Sequence, residues 1–168
     1  MSRVDLSSAL AAIWRLVGRA NEIPSRELWH VAGSRLQLGD LQWHARSKPS
    51  GYAGDYRMLE KIIAHAQAAG SLATAFDRFF QSQAAPQAVR NRTLFMGREI
   101  VDYARRSKGT GQVVSVGSGP ARDIVLAAKQ LQFEHIAAPR FTLLDVDPYD
   151  AAGFGMSRLD AALSLIPI

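Results

Sequence analysis

The hydrophobic positions in the first two thirds of the chain recur at the spacing of α-helices. The apolar residues that share one face of the first predicted helix are Leu6, Leu10, Ile13 and Val17. A second helical or irregular stretch is expected over 25–38, and Gly39 and Asp40 are expected to end it. The N-terminal part of the chain is therefore predicted to be mainly helical.

Three further helices are predicted before residue 110. Asp55 can cap a helix from Tyr56 to about Gly70, because its carboxylate can accept from the free N–H groups of the first turn. A helix over 71–81 and a long helix from Pro86 to just before the glycines at 109 and 111 follow. The residues expected to face the core are Leu72, Phe76, Phe79 and Phe80 in the shorter helix and Val89, Thr93, Met96, Ile100 and Tyr103 in the longer one.

The pattern changes after residue 111, where a short β-branched run replaces the helical period. The residues of this run, typical of a parallel strand covered on both faces, are Val113, Val114 and Val116. A glycine turn follows, and Pro120 is expected in the first turn of the next helix, where its missing N–H costs little. A second apolar run over 141–144 ends in Asp145, and such a carboxylate commonly binds a ribose diol.

The residues of the turn distinguish between two classes of ligand, dinucleotides and S-adenosylmethionine. A dinucleotide fingerprint needs glycine at its first, third and sixth positions, which here hold Gly117, Gly119 and Arg122. S-Adenosylmethionine (SAM) has no pyrophosphate and needs only close backbone approach and an acid for its ribose. The turn is similar to the Gly-x-Gly-x-Gly turn of SAM-binding sheets, with Ala121 in the last place and Ser115 replacing the usual acid of the strand. An ordinary strand-to-helix turn is the alternative.

Two further motifs precede the predicted sheet. Residues 48–56 read Lys-Pro-Ser-Gly-Tyr-Ala-Gly-Asp-Tyr, and residues 89–92 read Val-Arg-Asn-Arg. Together with Ser-Val-Gly-Ser-Gly-Pro-Ala at 115–121, they resemble a bacterial group of class I SAM methyltransferases, the extracellular-factor (3-hydroxypalmitate methyl ester) biosynthesis type. The resemblance covers roughly residues 43–148, and three motifs in order are more specific than any one alone.

The resemblance implies an α/β fold in which a helical N-terminal or lid region, 1–110, precedes a partial Rossmann-like unit at 111–168. It implies SAM as the cofactor and methyl transfer to a small-molecule or fatty-acid carboxylate. The residues expected to contact SAM are Gly117, Ser118, Gly119, Pro120, Ala121 and Asp145, with Tyr52 and Arg92 as further binding residues. The family usually has cysteine where Ser118 stands. A carboxylate acceptor needs no general base, so no catalytic residue is predicted.

The two outlying binding residues each have a second interpretation. Arg92 lies about 60° from Val89 around the helix, so its guanidinium can face inward and bind a carboxylate of SAM or of an acceptor. An ion pair with Asp55 or Asp77 is the alternative. Tyr52 stands in a glycine-rich loop, where a core position is hard to explain, and is expected to face SAM or the acceptor. Asp55 is better explained as a helix cap than as a ligand.

The composition of the chain narrows the classes of function that it can have. With 168 residues, 48% of them hydrophobic, the chain has one domain's worth of sequence, and it has no apolar run long enough to cross a membrane and no secretory signal. The lack of cysteine excludes disulfides and thiolate metal sites and fits the cytoplasm. No metal site is predicted, and His30, His44, His65 and His135 are expected at the surface. No basic run with interleaved aromatics occurs, so nucleic acid is not an expected partner.

A complete class I methyltransferase sheet has more strands than the two predicted here. After them, only one short apolar helix over 159–166 is expected, ended by Pro167. We therefore expect a truncated methyltransferase unit, incomplete or inactive, whose exposed sheet edge promotes self-association. A non-catalytic helical interaction module is the alternative from another class. A NAD-binding oxidoreductase fragment is a third, disfavoured by Arg122.

Overall fold

The structure, a computed structural model, describes residues 38–52, 54–146 and 153–163. The predicted helix with Leu6 and Val17, and nearly all of the stretch 25–38, lie outside the described residues. The chain divides into two compact units between Gln87 and Ala88. This division falls inside the long helix, whereas the sequence suggested a boundary after residue 110.

The first unit is helical in its described part. It contains α1 (Asp40–Ser47), α2 (Tyr56–Ile63) and α3 (Ser71–Gln81). The bounds predicted for α3 are confirmed, but α1 was not predicted, because Gly39 and Asp40 were interpreted as the end of a helix. The prediction that α2 reaches Gly70 is wrong, because His65 adopts a left-handed conformation with φ of 50° just after the helix ends.

The N-terminus of α1 is capped from α3 rather than by its own neighbours. The Asp77 carboxylate, which is fully buried, accepts from the backbone N–H groups of Asp40, Leu41 and Ala68 at 3.1, 3.0 and 2.6 Å. A Cβ at Gly39 would lie 2.5 Å from Asp77 Oδ1, so only glycine lets that carboxylate reach the helix. One buried acid therefore holds three parts of the first unit together.

The aromatic core of the first unit comes from α3. Phe76 and Phe79 are buried and Phe80 packs against them, as predicted. The prediction for Leu72 is wrong, because it is 45% exposed in the first turn of the helix.

The second unit is built on a small parallel sheet. The chain runs through α4 (Ala84–Ser107), β1 (Gln112–Val116), α5 (Arg122–Phe133), β2 (Arg140–Leu144) and α6 (Gly153–Leu163). The two strands pair in parallel, with Val113 opposite Phe141 and Val116 opposite Leu144. The described fold is therefore mixed α/β, rich in helices, with a two-stranded parallel sheet.

Helix α4 starts two residues before Pro86, which lies within its first turn, where no N–H is needed. The residues that α4 buries are Thr93, Gly97, Ile100, Val101 and Ala104. The prediction for Met96 is wrong, because it is 41% exposed. A Cβ at Gly97 would lie 3.3 Å from the Asp123 carbonyl oxygen. The close approach to α5 at this glycine centres the buried stripe on Gly97 instead of Met96.

Only one face of the sheet is covered in the described structure. Val113, Phe141 and Leu143 pack against the core formed by α4, α5 and α6. The large apolar residues on the opposite face, all at least half exposed, are Val114, Val116 and Leu144. The prediction that β1 is covered on both faces is therefore wrong for Val114 and Val116.

Helix α6 begins at Gly153, six positions before the start predicted for the last helix. Leu159 and Ala162 are buried, and a Cβ at Gly155 would lie 2.9 Å from Ala121 Cβ. Gly155 thus allows α6 to pack against the turn after β1. Pro167 lies outside the described residues. No described helix has both the length and the hydropathy needed to cross a membrane.

Candidate functional site

The segment between β1 and α5 turns through left-handed backbone conformations. Gly117 and Gly119 have φ of 66° and 49°, and Ala121 has φ of 46°. Glycine tolerates this region, whereas alanine is strained there. Ala121 is the N-cap of α5, so Pro120 lies outside the helix. The prediction that Pro120 stands in the first helical turn is wrong, because left-handed Ala121 separates it from α5.

This turn is tied to the end of β2 by hydrogen bonds. The Ser118 N–H donates to the Leu144 carbonyl at 3.0 Å. The Gly119 N–H donates to Asp145 Oδ2 at 2.7 Å. Within the turn, the Ala121 N–H donates to the Ser118 carbonyl at 2.9 Å. The predicted binding residues of the turn and Asp145 are therefore brought together at the carboxyl ends of both strands.

Exposure differs sharply along the turn. Gly117 is exposed, and a Cβ built on it would meet no atom within 4 Å. The four residues that follow, 118–121, are all buried. Gly117 is therefore the solvent-exposed position of the turn, and the covered Ser118 follows it directly in the chain.

The Ser118 side chain is buried in an unusual state. The residue is 9% exposed, and its Oγ has no hydrogen-bond partner among the described atoms. Leaving a buried hydroxyl without a partner costs about 1–3 kcal/mol. Such a group needs an explanation, which a ligand or an ordered water can supply.

The two remaining predicted residues lie on other elements of the chain. Tyr52 is 38% exposed in the loop before α2 of the first unit, and Arg92 is exposed on α4 of the second. For Arg92, the sequence left an inward-facing guanidinium and an ion pair as alternatives. Asp55 and Asp77, its alternative ion-pair partners, bind groups of the first unit. The predicted contacts of Tyr52 and Arg92 with SAM stay predictions.

Asp55 caps α2 as predicted, and it also binds a histidine that the sequence placed at the surface. Its Oδ1 accepts from the Met58 N–H at 2.8 Å and lies 2.8 Å from Nε2 of His44, which is buried. Burial alone would raise the pKa of the Asp55 carboxyl. Hydrogen bonds from Met58, Ser50 and His44 nevertheless hold that pKa below its ordinary value of 3.8.

His44 was missed because α1 was missed. On a helix it lies three positions after buried Leu41, so both side chains fall on the same face. Recognising Gly39 as the start of a helix would have placed His44 in the core. Its burial beside Asp55 makes the pair a structural link between α1 and α2 rather than an accessible site.

The part of the chain that the structure describes contains no group of three or more histidine, aspartate or glutamate residues arranged to hold a metal ion. No protein-family model matches the chain, no curated protein matches its sequence, and no solved structure matches its fold. The geometry around the turn 117–121 and the motifs of the sequence are the observations that bear on function.

Proposed function

We propose that the turn 117–121 and Asp145 bind the adenosyl part of SAM, and that the chain belongs to a methyltransferase acting on a small-molecule or fatty-acid carboxylate. The observation that carries this proposal is the 2.7 Å hydrogen bond from the Gly119 N–H to Asp145 Oδ2. It holds a carboxylate against a glycine turn at the carboxyl ends of parallel strands, where open α/β sheets bind their ligands.

The chemistry of the residues present fits this cofactor. A carboxylate can accept several hydrogen bonds, so the contact with Gly119 is compatible with accepting from a ribose hydroxyl. The open space at Gly117 allows close approach to the backbone, and the buried Ser118 hydroxyl is a polar group without a partner among the described atoms. Under this proposal, β1, α5 and β2 form the first βαβ unit of a Rossmann-like sheet.

The reaction asks little of the protein beyond positioning. SAM supplies an electrophilic methyl group, and a carboxylate acceptor is already ionised, so no general base is needed. The protein would accelerate transfer mainly by holding the acceptor in line with that methyl group. A cytoplasmic location would fit a chain without cysteine.

Calorimetric titration and thermal melting with SAM and S-adenosylhomocysteine test the proposal. A ligand at one hundred times its dissociation constant stabilises the folded state by about 2.7 kcal/mol, which is easily measured as a rise in melting temperature. Asp145→Ala should abolish this rise. Asp160→Asn, which changes an exposed acid on α6, should leave it intact.

A second variant distinguishes loss of ligand binding from loss of the folded state. Gly117→Ala introduces no clash but forces alanine into a left-handed conformation beside the open space. It should keep a cooperative melt and bind the ligand less well. A wild-type protein whose melting temperature does not respond to millimolar SAM or S-adenosylhomocysteine would rule the proposal out.

The bare sheet face favours a second candidate, a non-catalytic module that associates with another copy of itself. Val116 and its partner in the pairing, Leu144, are 80% and 51% exposed on that face. Sedimentation should then show concentration-dependent dimers that Val116→Lys prevents, together with no response to SAM. A monomer at high concentration would exclude this candidate.

A further inference from the structure

We propose that the Ser118 hydroxyl is a ligand-binding group, which forms its hydrogen bond with the adenosyl ligand and has no other role in the fold. The inference rests on the proposed function and goes further, because it assigns a specificity-determining side chain within the turn. Among the described residues, Ser118 Oγ is one of two buried side-chain atoms without a hydrogen-bond partner.

The other such atom has a local explanation. It is Oδ2 of Asp55, whose carboxyl already binds Met58 and His44 through Oδ1. The Ser50 side chain also lies close enough to lower the pKa of that carboxyl. The Asp55 carboxyl is therefore already held by groups of the first unit and needs no ligand to explain its burial.

Ser118 has no comparable neighbour in its own turn. In turns and helix caps, a serine hydroxyl can accept from the backbone N–H two or three residues further along the chain. Here the Gly119 N–H is bound to Asp145, Pro120 has none, and the Ala121 N–H is bound to the Ser118 carbonyl. Each local donor is absent or already engaged.

Ser118 is also prevented from moving to find a partner. Its N–H is bound to the Leu144 carbonyl and its own carbonyl to Ala121, so the backbone is fixed on both sides of the side chain. Only rotation about the Cα–Cβ bond remains. The glycines on either side contribute no polar side chain, and the open space at Gly117 lies next to this hydroxyl in the chain. A ligand entering there can supply the missing partner.

The substitution Ser118→Ala should affect stability and ligand binding in opposite directions. Removing an unsatisfied hydroxyl should leave the melting temperature of the ligand-free protein unchanged or raise it by about 2–4 °C. The same change should weaken binding of S-adenosylhomocysteine about fivefold, because one hydrogen bond to the ligand is lost. Differential scanning calorimetry and titration calorimetry measure the two effects separately.

Two further variants complete the experiment. Ser157→Ala removes an exposed serine on α6 and should leave the affinity unchanged. Ser118→Cys keeps nearly the same volume but offers a weaker hydrogen-bonding group, so its affinity should lie between those of wild type and Ser118→Ala.

Each result decides between the hypotheses. If wild-type protein does not bind S-adenosylhomocysteine, the proposed function itself fails. If wild type and Ser118→Ala bind it equally well, the SAM site stands and the role of Ser118 is wrong. If Ser118→Ala lowers the melting temperature, the hydroxyl is satisfied within the fold, by water or by protein, and the inference is overturned even if affinity also falls.

Discussion

Both units use an aspartate to bind backbone N–H groups, but the two carboxylates differ in their surroundings. Asp77 in the first unit is fully buried and accepts from three N–H groups of its own unit. Asp145 in the second unit is half-buried and lies at the open side of the sheet, where its Oδ2 accepts from Gly119. The same chemistry therefore occurs in a fully buried place in one unit and in a partly solvent-accessible place in the other. Access to solvent, rather than residue type, distinguishes the two.

The largest effect is expected from removing the buried acid. Asp77→Ala leaves three backbone N–H groups of the first unit without their acceptor, and each buried unsatisfied group costs about 1–3 kcal/mol. We expect the free energy of unfolding to fall by about 3 kcal/mol or more, measured by urea denaturation followed by circular dichroism. Asp145→Ala should cost about 1 kcal/mol, since it loses one acceptor in a half-buried place. Equal losses for the two variants would show that solvent access does not distinguish the two carboxylates.

A smaller effect should appear at low pH. The pKa of Asp55 is lowered in the folded protein, so its ionised form stabilises the fold above the unfolded pKa, and that contribution is lost as the pH falls through the folded value. The wild-type free energy of unfolding should therefore decrease below about pH 4. Asp55→Ser keeps a capping oxygen without the charge and should flatten this decrease. An unchanged acid profile would show that Asp55 contributes nothing to it.

The smallest effect concerns the strained alanine of the turn. Ala121→Gly loses a buried methyl group, worth about 0.8 kcal/mol, but relieves a left-handed conformation that costs about 1–2 kcal/mol. The net change in the free energy of unfolding should therefore lie between zero and a gain of about 1 kcal/mol. Ala127→Gly, at an equally buried position inside α5, should cost about 2 kcal/mol, because it gains no such relief. Thermal melts of both variants give the comparison, and similar losses would mean that Ala121 is not strained.

The parts of the fold that follow local rules could be predicted. Apolar spacing placed α3 at its observed bounds, and the capping chemistry of Asp55 placed the start of α2. The β-branched run and the acid after the second strand predicted a parallel pair that ends beside a glycine turn.

The misses arise where distant residues decide the structure. Helix α1 was not predicted because its cap is Asp77, which is 37 positions away from Asp40 in the chain. His44 was then misplaced at the surface. The β-branched run did not reveal that Val114 and Val116 are exposed, because valine suits a strand whether one face or both are covered. The hydrogen bond between Gly119 and Asp145 agrees with the prediction that the acid lies beside the turn. For Tyr52 and Arg92, the neighbouring sequence did not indicate which residues would surround the side chain.

The parallel pairing of the two strands also sets an order of events during folding. Asp145 and Gly119 are 26 positions apart, and α5 lies between them. Because closing such a loop must precede the contacts that reward it, the turn acquires its final shape only after α5 has formed and β2 has docked. During synthesis, the turn therefore stays incomplete until β2 has left the ribosome. Under the proposed function, an adenosyl compound would bind only after the second strand has paired, and its binding would be a late marker of correct folding in this unit.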